Sequence, residues 1–179
     1  METIKYKDES LREDSDVPIE KLVDDCLIHI FNLLPVIDRI KVERVCKKWQ
    51  EIGFQSWSKF KVLNVNPKIL GLKPFGTQHQ FPTINRCMME NILKRCGCYL
   101  EKVIDKWIPF GCISLVAEYC ANIRSISTRN KVSYQVLKKI SNNCKNITEF
   151  CSYPIFCKFS EDEFDKIDEV LAELFSNNQ

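Results

Sequence analysis

LVDDCLIHIFNLLP at residues 22–35, followed by VIDRIKVERVCKKW at residues 36–49, is the stretch on which the fold turns. Leu27, Ile30, Phe31 and Leu34 fall at i, i+3, i+4 and i+7, one apolar stripe on a helix from Asp24 to Leu34. Asp24 and Asp25 stand in its first turn, where carboxylates suit the positive end of the helix dipole. Pro35 ends it, because proline disfavours helical backbone at the residue before it. A second periodic stretch is predicted from about Asp38 to Ile52. Its apolar face is Val42, Val45, Cys46, Trp49 and Ile52; its wet face is Lys47, Lys48, Gln50 and Glu51; Gly53 is its expected stop. At about 25 cal/mol per Å² of buried apolar surface, so small a unit is marginal alone and leans on a partner or on the rest of the chain.

Carboxy-terminal to this unit, Phe60, Val62 and Val65 favour a short strand. Residues 66–82, with three prolines and two glycines, read as a loop. The sequence then repeats on Cys96, Cys120 and Cys144, spaced 24 residues apart. Seven residues before each cysteine stand Met89, Ile113 and Leu137; four before stand Ile92, Val116 and Ile140. After each come Leu100 with Val103, Ile123 with Ile126, and Ile147 with Phe150. Each unit is therefore an amphipathic helix ending in cysteine, then a short segment with apolar residues three apart. A period of roughly 20–29 residues with this grammar is the leucine-rich-repeat class, in which each unit stacks on the next and the strands line one inner face. Residues Glu161 to Phe175 form a last amphipathic helix, carrying Phe164, Ile167, Leu171 and Leu174, in the position of an end cap.

The 179 residues are 45% hydrophobic and 28% charged, globular proportions. Charge-free apolar runs such as Cys26 to Ile37 fall short of the roughly 18 residues that span a bilayer, so no membrane is expected. Residues 1–16 carry six acids and three bases without an apolar core, and read as a disordered acidic tail rather than a signal peptide. The ten cysteines are then expected as free thiols of a reducing compartment, the cytoplasm or nucleus. They include no Cys-x-x-Cys pair, and the only histidines are His29 and His79, so no metal is expected. Charge is segregated: residues 17–154 carry a net +10 between acidic ends. The bases stand singly or in pairs, such as Lys138–Lys139, without a nucleic-acid recognition motif; a solvated helical surface is the first account of them, an acidic or phosphorylated partner or nucleic acid the alternatives. No histidine lies in a nucleophile motif beside a cysteine and there is no glycine-rich phosphate loop, so no catalytic residue and no cofactor is expected.

Leu22 to Trp57 resembles the F-box family. The points of likeness are Leu22, the acidic pair Asp24–Asp25, Leu27, Ile30 and Phe31, the break Leu34–Pro35, Asp38, and Val45, Cys46, Lys47 and Trp49, with a second tryptophan at Trp57. One departure is Val23, where the family has proline. Residues 86–153 are similar to the cysteine-containing leucine-rich repeats that often follow an F-box. The resemblance implies a mostly α chain with short parallel strands: a three-helix F-box at 17–58, a first strand and connecting loop at 59–85, and a short α/β repeat solenoid with its capping helix at 86–179.

The resemblance also implies a non-catalytic substrate-recognition subunit of an SCF-type ubiquitin ligase. The F-box would dock on the Skp adaptor, and through it on the cullin and RING subunits, while the repeats hold a protein target for degradation. Adaptor contact is expected from Leu22, Val23, Leu27, Ile30, Phe31, Leu34, Pro35, Val45, Cys46 and Trp49, some of which pack only within the module. Phe31 and Trp49, with the most apolar area, are the expected hot spots. Target contact is expected from alternate residues of the inner strands: Lys102, Lys106, Ser125, Ser127, Arg129, Glu149 and Tyr153. The alternative is a short F-box protein that occupies the adaptor as a competitor or scaffold and delivers no substrate.

Overall fold

The computed structural model describes residues 18–76, 80–105, 111–129, 132–152 and 161–176. The expected acidic tail at 1–16, His79, Lys106 and Tyr153 lie outside the described residues. The chain opens with three helices: α1 (Asp24–Leu33), α2 (Val36–Val42) and α3 (Lys47–Ser56). Four unit strands follow, β1 (Val62–Asn64), β2 (Lys102–Asp105), β3 (Ser125–Thr128) and β4 (Glu149–Ser152), pairing in parallel in the order β1-β2-β3-β4. Between them run α4 (Pro67–Leu70) and α5 (Arg86–Cys96), then α6 (Ile113–Tyr119), then α7 (Tyr134–Asn143); α8 (Glu161–Ser176) comes last.

Three sequence expectations give way to local chemistry. The stretch expected as one helix from Asp38 to Ile52 is two, because Cys46 is extended (φ −158°, ψ 171°) and its thiol accepts the Trp49 N–H at 3.5 Å as the cap of α3. Gly53 does not stop α3, which runs on to Ser56. A Cβ at Gly53 would stand 2.7 Å from Glu43 Cγ, so this glycine makes room for a neighbour inside the helix. The segment read as a loop at 66–82 contains α4: the Asn66 side chain accepts the Lys68 N–H at 2.9 Å, Pro67 begins the turn, and Gly71 closes it in the left-handed region (φ 86°).

The repeated apolar positions become the interior. Met89, Ile113 and Leu137, then Ile92, Val116 and Ile140, are all buried, as are Cys96, Cys120 and Cys144. Register keeps like positions together: Leu63, Val103, Ile126 and Phe150 are partners across the four strands. One carbonyl before each strand takes two N–H groups of the next unit. Lys61 O accepts from Glu101 and Lys102, Glu101 O from Arg124 and Ser125, and Arg124 O from Thr148 and Glu149, all at 2.8–3.0 Å. The cysteines suit this spacing because a thiol is a small apolar filler that still donates: Cys96 Sγ to Ile92 O at 3.2 Å, Cys144 Sγ to Cys120 O at 3.5 Å. On the far side α8 lies on α7, with Val132, Leu137 and Val170 buried between them.

The amino-terminal helices have a small interior of Leu27, Phe31 and Ile52, with Phe31 edge-on to Trp49 at 5.3 Å between ring centroids. Val36 and Trp57, by contrast, belong to the interior of the repeats. The junction is polar as well as apolar. Glu43, at the end of α2, is buried; its carboxylate accepts from Trp57 Nε1 at 2.6 Å and from Arg95 Nε of α5 at 2.7 Å. Beside it the buried guanidinium of Arg39 stacks over Trp57 (4.9 Å) and Phe60 (5.2 Å) and donates Nη2 to Asn32 O at 2.7 Å.

Candidate protein-docking surfaces

Two surfaces stand out among the described residues. The first is the end of the helical module where α1 and α3 begin. Lys48 ties the two first turns together, reaching Asp24 Oδ1 at 3.1 Å and Leu22 O at 3.4 Å. Val23 precedes α1 and is 66% exposed; Val45, before α3, is 62% exposed. Cys46 is exposed beside it, and Leu22 and Trp49 are half-buried below. Large apolar side chains held this open at one end form a ridge suited to a partner polypeptide.

The expected adaptor residues therefore divide. Leu27 is fully buried and Phe31 is 1% exposed, so neither has surface left to lose on docking. This corrects the expectation that Phe31 is a contact hot spot: it fills the interior that holds Trp49 in place. Leu22, Ile30 and Trp49 are half-buried against the same interior. Leu34 (half-buried) and Pro35 (exposed) are not on the ridge with Val23; they line the second surface.

That second surface is a groove of about 480 Å³ between the α1–α2 junction, β1 and α4. Its apolar lining includes Leu33, Leu34, Pro35, Phe60, Val62 and Ile69, with Arg39, Lys59 and Asn64 among its polar residues. Leu33 is 74% exposed and lies off the stripe that the helical spacing picked out, so periodicity did not find it.

Among the expected target residues, Lys102, Ser125 and Glu149 are register partners in one row across β2, β3 and β4. They satisfy one another: Ser125 Oγ donates to Glu149 Oε2 at 2.5 Å, and Lys102 Nζ lies 3.4 Å from the same oxygen. The Ser125 hydroxyl and the Lys102 ammonium hold the Glu149 carboxyl below the usual glutamate pKa. Ser125 is buried beneath this pair, which corrects its expected place on an open face. Ser127 is half-buried and Arg129 exposed, beyond the end of β3. The row beside the first runs Asn64, Ile104, Ser127, Cys151. The sequence alignment of Val103, Ile126 and Phe150 already implies this register, and the structure keeps it.

The repeat cysteines are chemically quiet. Burial pushes the Cys96 thiol up to about 12 and Cys144 to about 11, and Cys120 shifts in the same direction for the same reason. Among the described residues no group of three or more His, Cys, Asp or Glu could hold a metal ion. No helix of the described residues is long and apolar enough to cross a membrane.

Residues 19–60 match the family model described as the F-box domain. The match takes in α1, α2 and α3 and ends just before β1, so it covers the apolar ridge and the near wall of the groove. The chain thus carries an F-box domain, the part by which subunits of SCF-type ligases bind a Skp adaptor. No curated protein matches the chain.

Proposed function

We propose that the chain is a substrate receptor of an SCF-type ubiquitin ligase. The F-box at 19–60 docks on the Skp adaptor through the ridge at Leu22, Val23, Val45, Cys46 and Trp49. The stacked units after it, read as cysteine-containing leucine-rich repeats, hold a protein target for ubiquitylation and degradation. The observation that carries this reading is the F-box match falling on a helical module with an open apolar end. The chain makes no bond itself; it raises the effective concentration of the target's lysines at the ubiquitin-conjugating enzyme held by the RING subunit. Its nine described cysteines are free thiols, in keeping with work in the cytoplasm or nucleus.

The experiment is adaptor capture with Val23→Asp and Val45→Asp. Both side chains are exposed, so both variants stay folded, Val23→Asp even gaining a carboxylate cap for α1, and each weakens capture by about tenfold or more. Wild-type capture by both variants refutes the docking surface; failure of the wild-type chain to capture the adaptor refutes the function. The mutual satisfaction of Lys102, Ser125 and Glu149 favours a second reading, an adaptor competitor that delivers no target. Ubiquitylation of bound proteins, measured with and without the chain, separates the two.

A further inference from the structure

β1 is an edge strand, and its outer side is open to the groove. Lys61 O and Val65 N bond to the β2 side, through Lys102 N and Ile104 O. Strand alternation then turns the N–H and C=O of Val62 and Asn64 the other way, toward the groove that both residues line. An open row of main-chain donors and acceptors is a template for one more strand. Val62 is itself about half exposed and stands beside Phe60, Leu34 and Pro35, so an incoming strand has an apolar slot for alternate side chains.

The charge of the lining selects the incomer. Its charged residues are Arg39 and Lys59, both cations, with no carboxylate among them. Arg39 is buried, no carboxylate pairs with it among the described residues, and its Nε and Nη1 lack hydrogen-bond partners there. The lining of the groove is therefore positive, with an Arg39 guanidinium that no described carboxylate contacts at a low-dielectric wall, where an acidic partner gains most.

We propose that the outer edge of β1 receives an extended acidic segment of a partner polypeptide as a fifth strand. Its main chain pairs with Val62 and Asn64, its apolar side chains enter the slot beside Phe60 and Pro35, and its carboxylates face Lys59. This surface is separate from the Val23–Val45 ridge and goes beyond adaptor docking.

The test uses the full chain and a fluorescein-labelled peptide alternating valine and glutamate, with the valine–lysine peptide as control. Binding is read by anisotropy, and amide exchange of Val62 and Asn64 by NMR. The acidic peptide is expected to bind, more weakly as salt rises, and to slow exchange at both amides. Val62→Pro removes an outward N–H at a position where an edge strand tolerates proline; Lys59→Glu reverses an exposed charge and keeps the fold should the proline disturb it. Each is expected to weaken binding by about tenfold. Equal binding of the two peptides, no binding of the acidic one, or wild-type affinity in Lys59→Glu overturns the proposal. Slow exchange of both amides in the free monomer assigns the edge to a segment of this chain instead. A dimer that Val62→Pro dissolves assigns it to a second copy. Either result also overturns it. Adaptor capture by the same samples is scored separately, so its failure bears on the proposed function alone.

Discussion

Replacing Glu43 by alanine should destabilise the whole chain, not only the helical module. The Glu43 carboxylate is buried and accepts two short hydrogen bonds, one from each side of the junction. Trp57 is fully buried, so its indole N–H would be left without a partner, at about 1–3 kcal/mol. Arg95 is partly exposed and can turn toward water, so its loss is the charge-assisted bond, about 1.5–3 kcal/mol before rehydration. The side-chain stem also fills the space that Gly53 leaves, and its removal opens a small cavity. Together these give about 3–5 kcal/mol, the range for breaking a buried charge pair. At about 2–4 °C per kcal/mol for a chain of this size, the melting temperature falls by roughly 10 °C. Calorimetry or thermal circular dichroism reads this directly. Arg95→Ala should cost less, and the double variant Glu43→Ala/Arg95→Ala less than the sum of the two singles. A drop below about 3 °C for Glu43→Ala, or strict additivity in the cycle, would refute the claim that this carboxylate clamps the junction.

Phe31→Ala should lower unfolding free energy by about 3–5 kcal/mol in urea melts, because it empties the centre of the small interior it shares with Leu27 and Ile52. Val23→Pro should be accepted and raise stability by about 0.4–1 kcal/mol: Val23 has φ −66°, and Leu22 before it is already extended at ψ 141°. Iodoacetamide at neutral pH should label Cys26, Cys46, Cys87, Cys98 and Cys151 in the folded chain while sparing Cys96, Cys120 and Cys144, as peptide mass spectrometry would report. Glu149 has a lowered carboxyl pKa in the fold, so its contribution to stability is present above the ordinary glutamate pKa and lost as pH falls through the lowered value. Ser125→Ala should raise that pKa in a carboxyl NMR titration, and its stability deficit at neutral pH should vanish in acid.

The repeat interior was legible because stacking depends on periodic apolar positions, and Met89, Ile113 and Leu137 announce theirs every 24 residues. The first helix was legible for the same reason, ending within a residue of Leu34. Periodicity did not show the break at Cys46, since Val45, Cys46 and Trp49 keep helical spacing across it. Nor did it separate interior from surface among apolar residues. Phe31 and Val23 both read as greasy, yet one is sealed and the other open, because the packing of α3 on α1 decides which face is covered. The clamp at Glu43 joins residues 52 apart in sequence, and no local pattern in the chain marks that pairing. Asn66 as cap, Pro67 in the first turn and Gly71 as left-handed stop are the chemistry of α4, but three prolines and two glycines in 66–82 read as a loop.

Trp57 and Val36 sit within the matched F-box segment yet are packed among the side chains of the repeats. An F-box segment that lends its bulkiest ring to its neighbour is not a bead on a string. Recombination joining this amino-terminal stretch to a foreign array would have to furnish, in one step, a new cradle for the indole and a new cation for Glu43. Such a chain diversifies more readily at the distal end of its stack than by exchange of its front part.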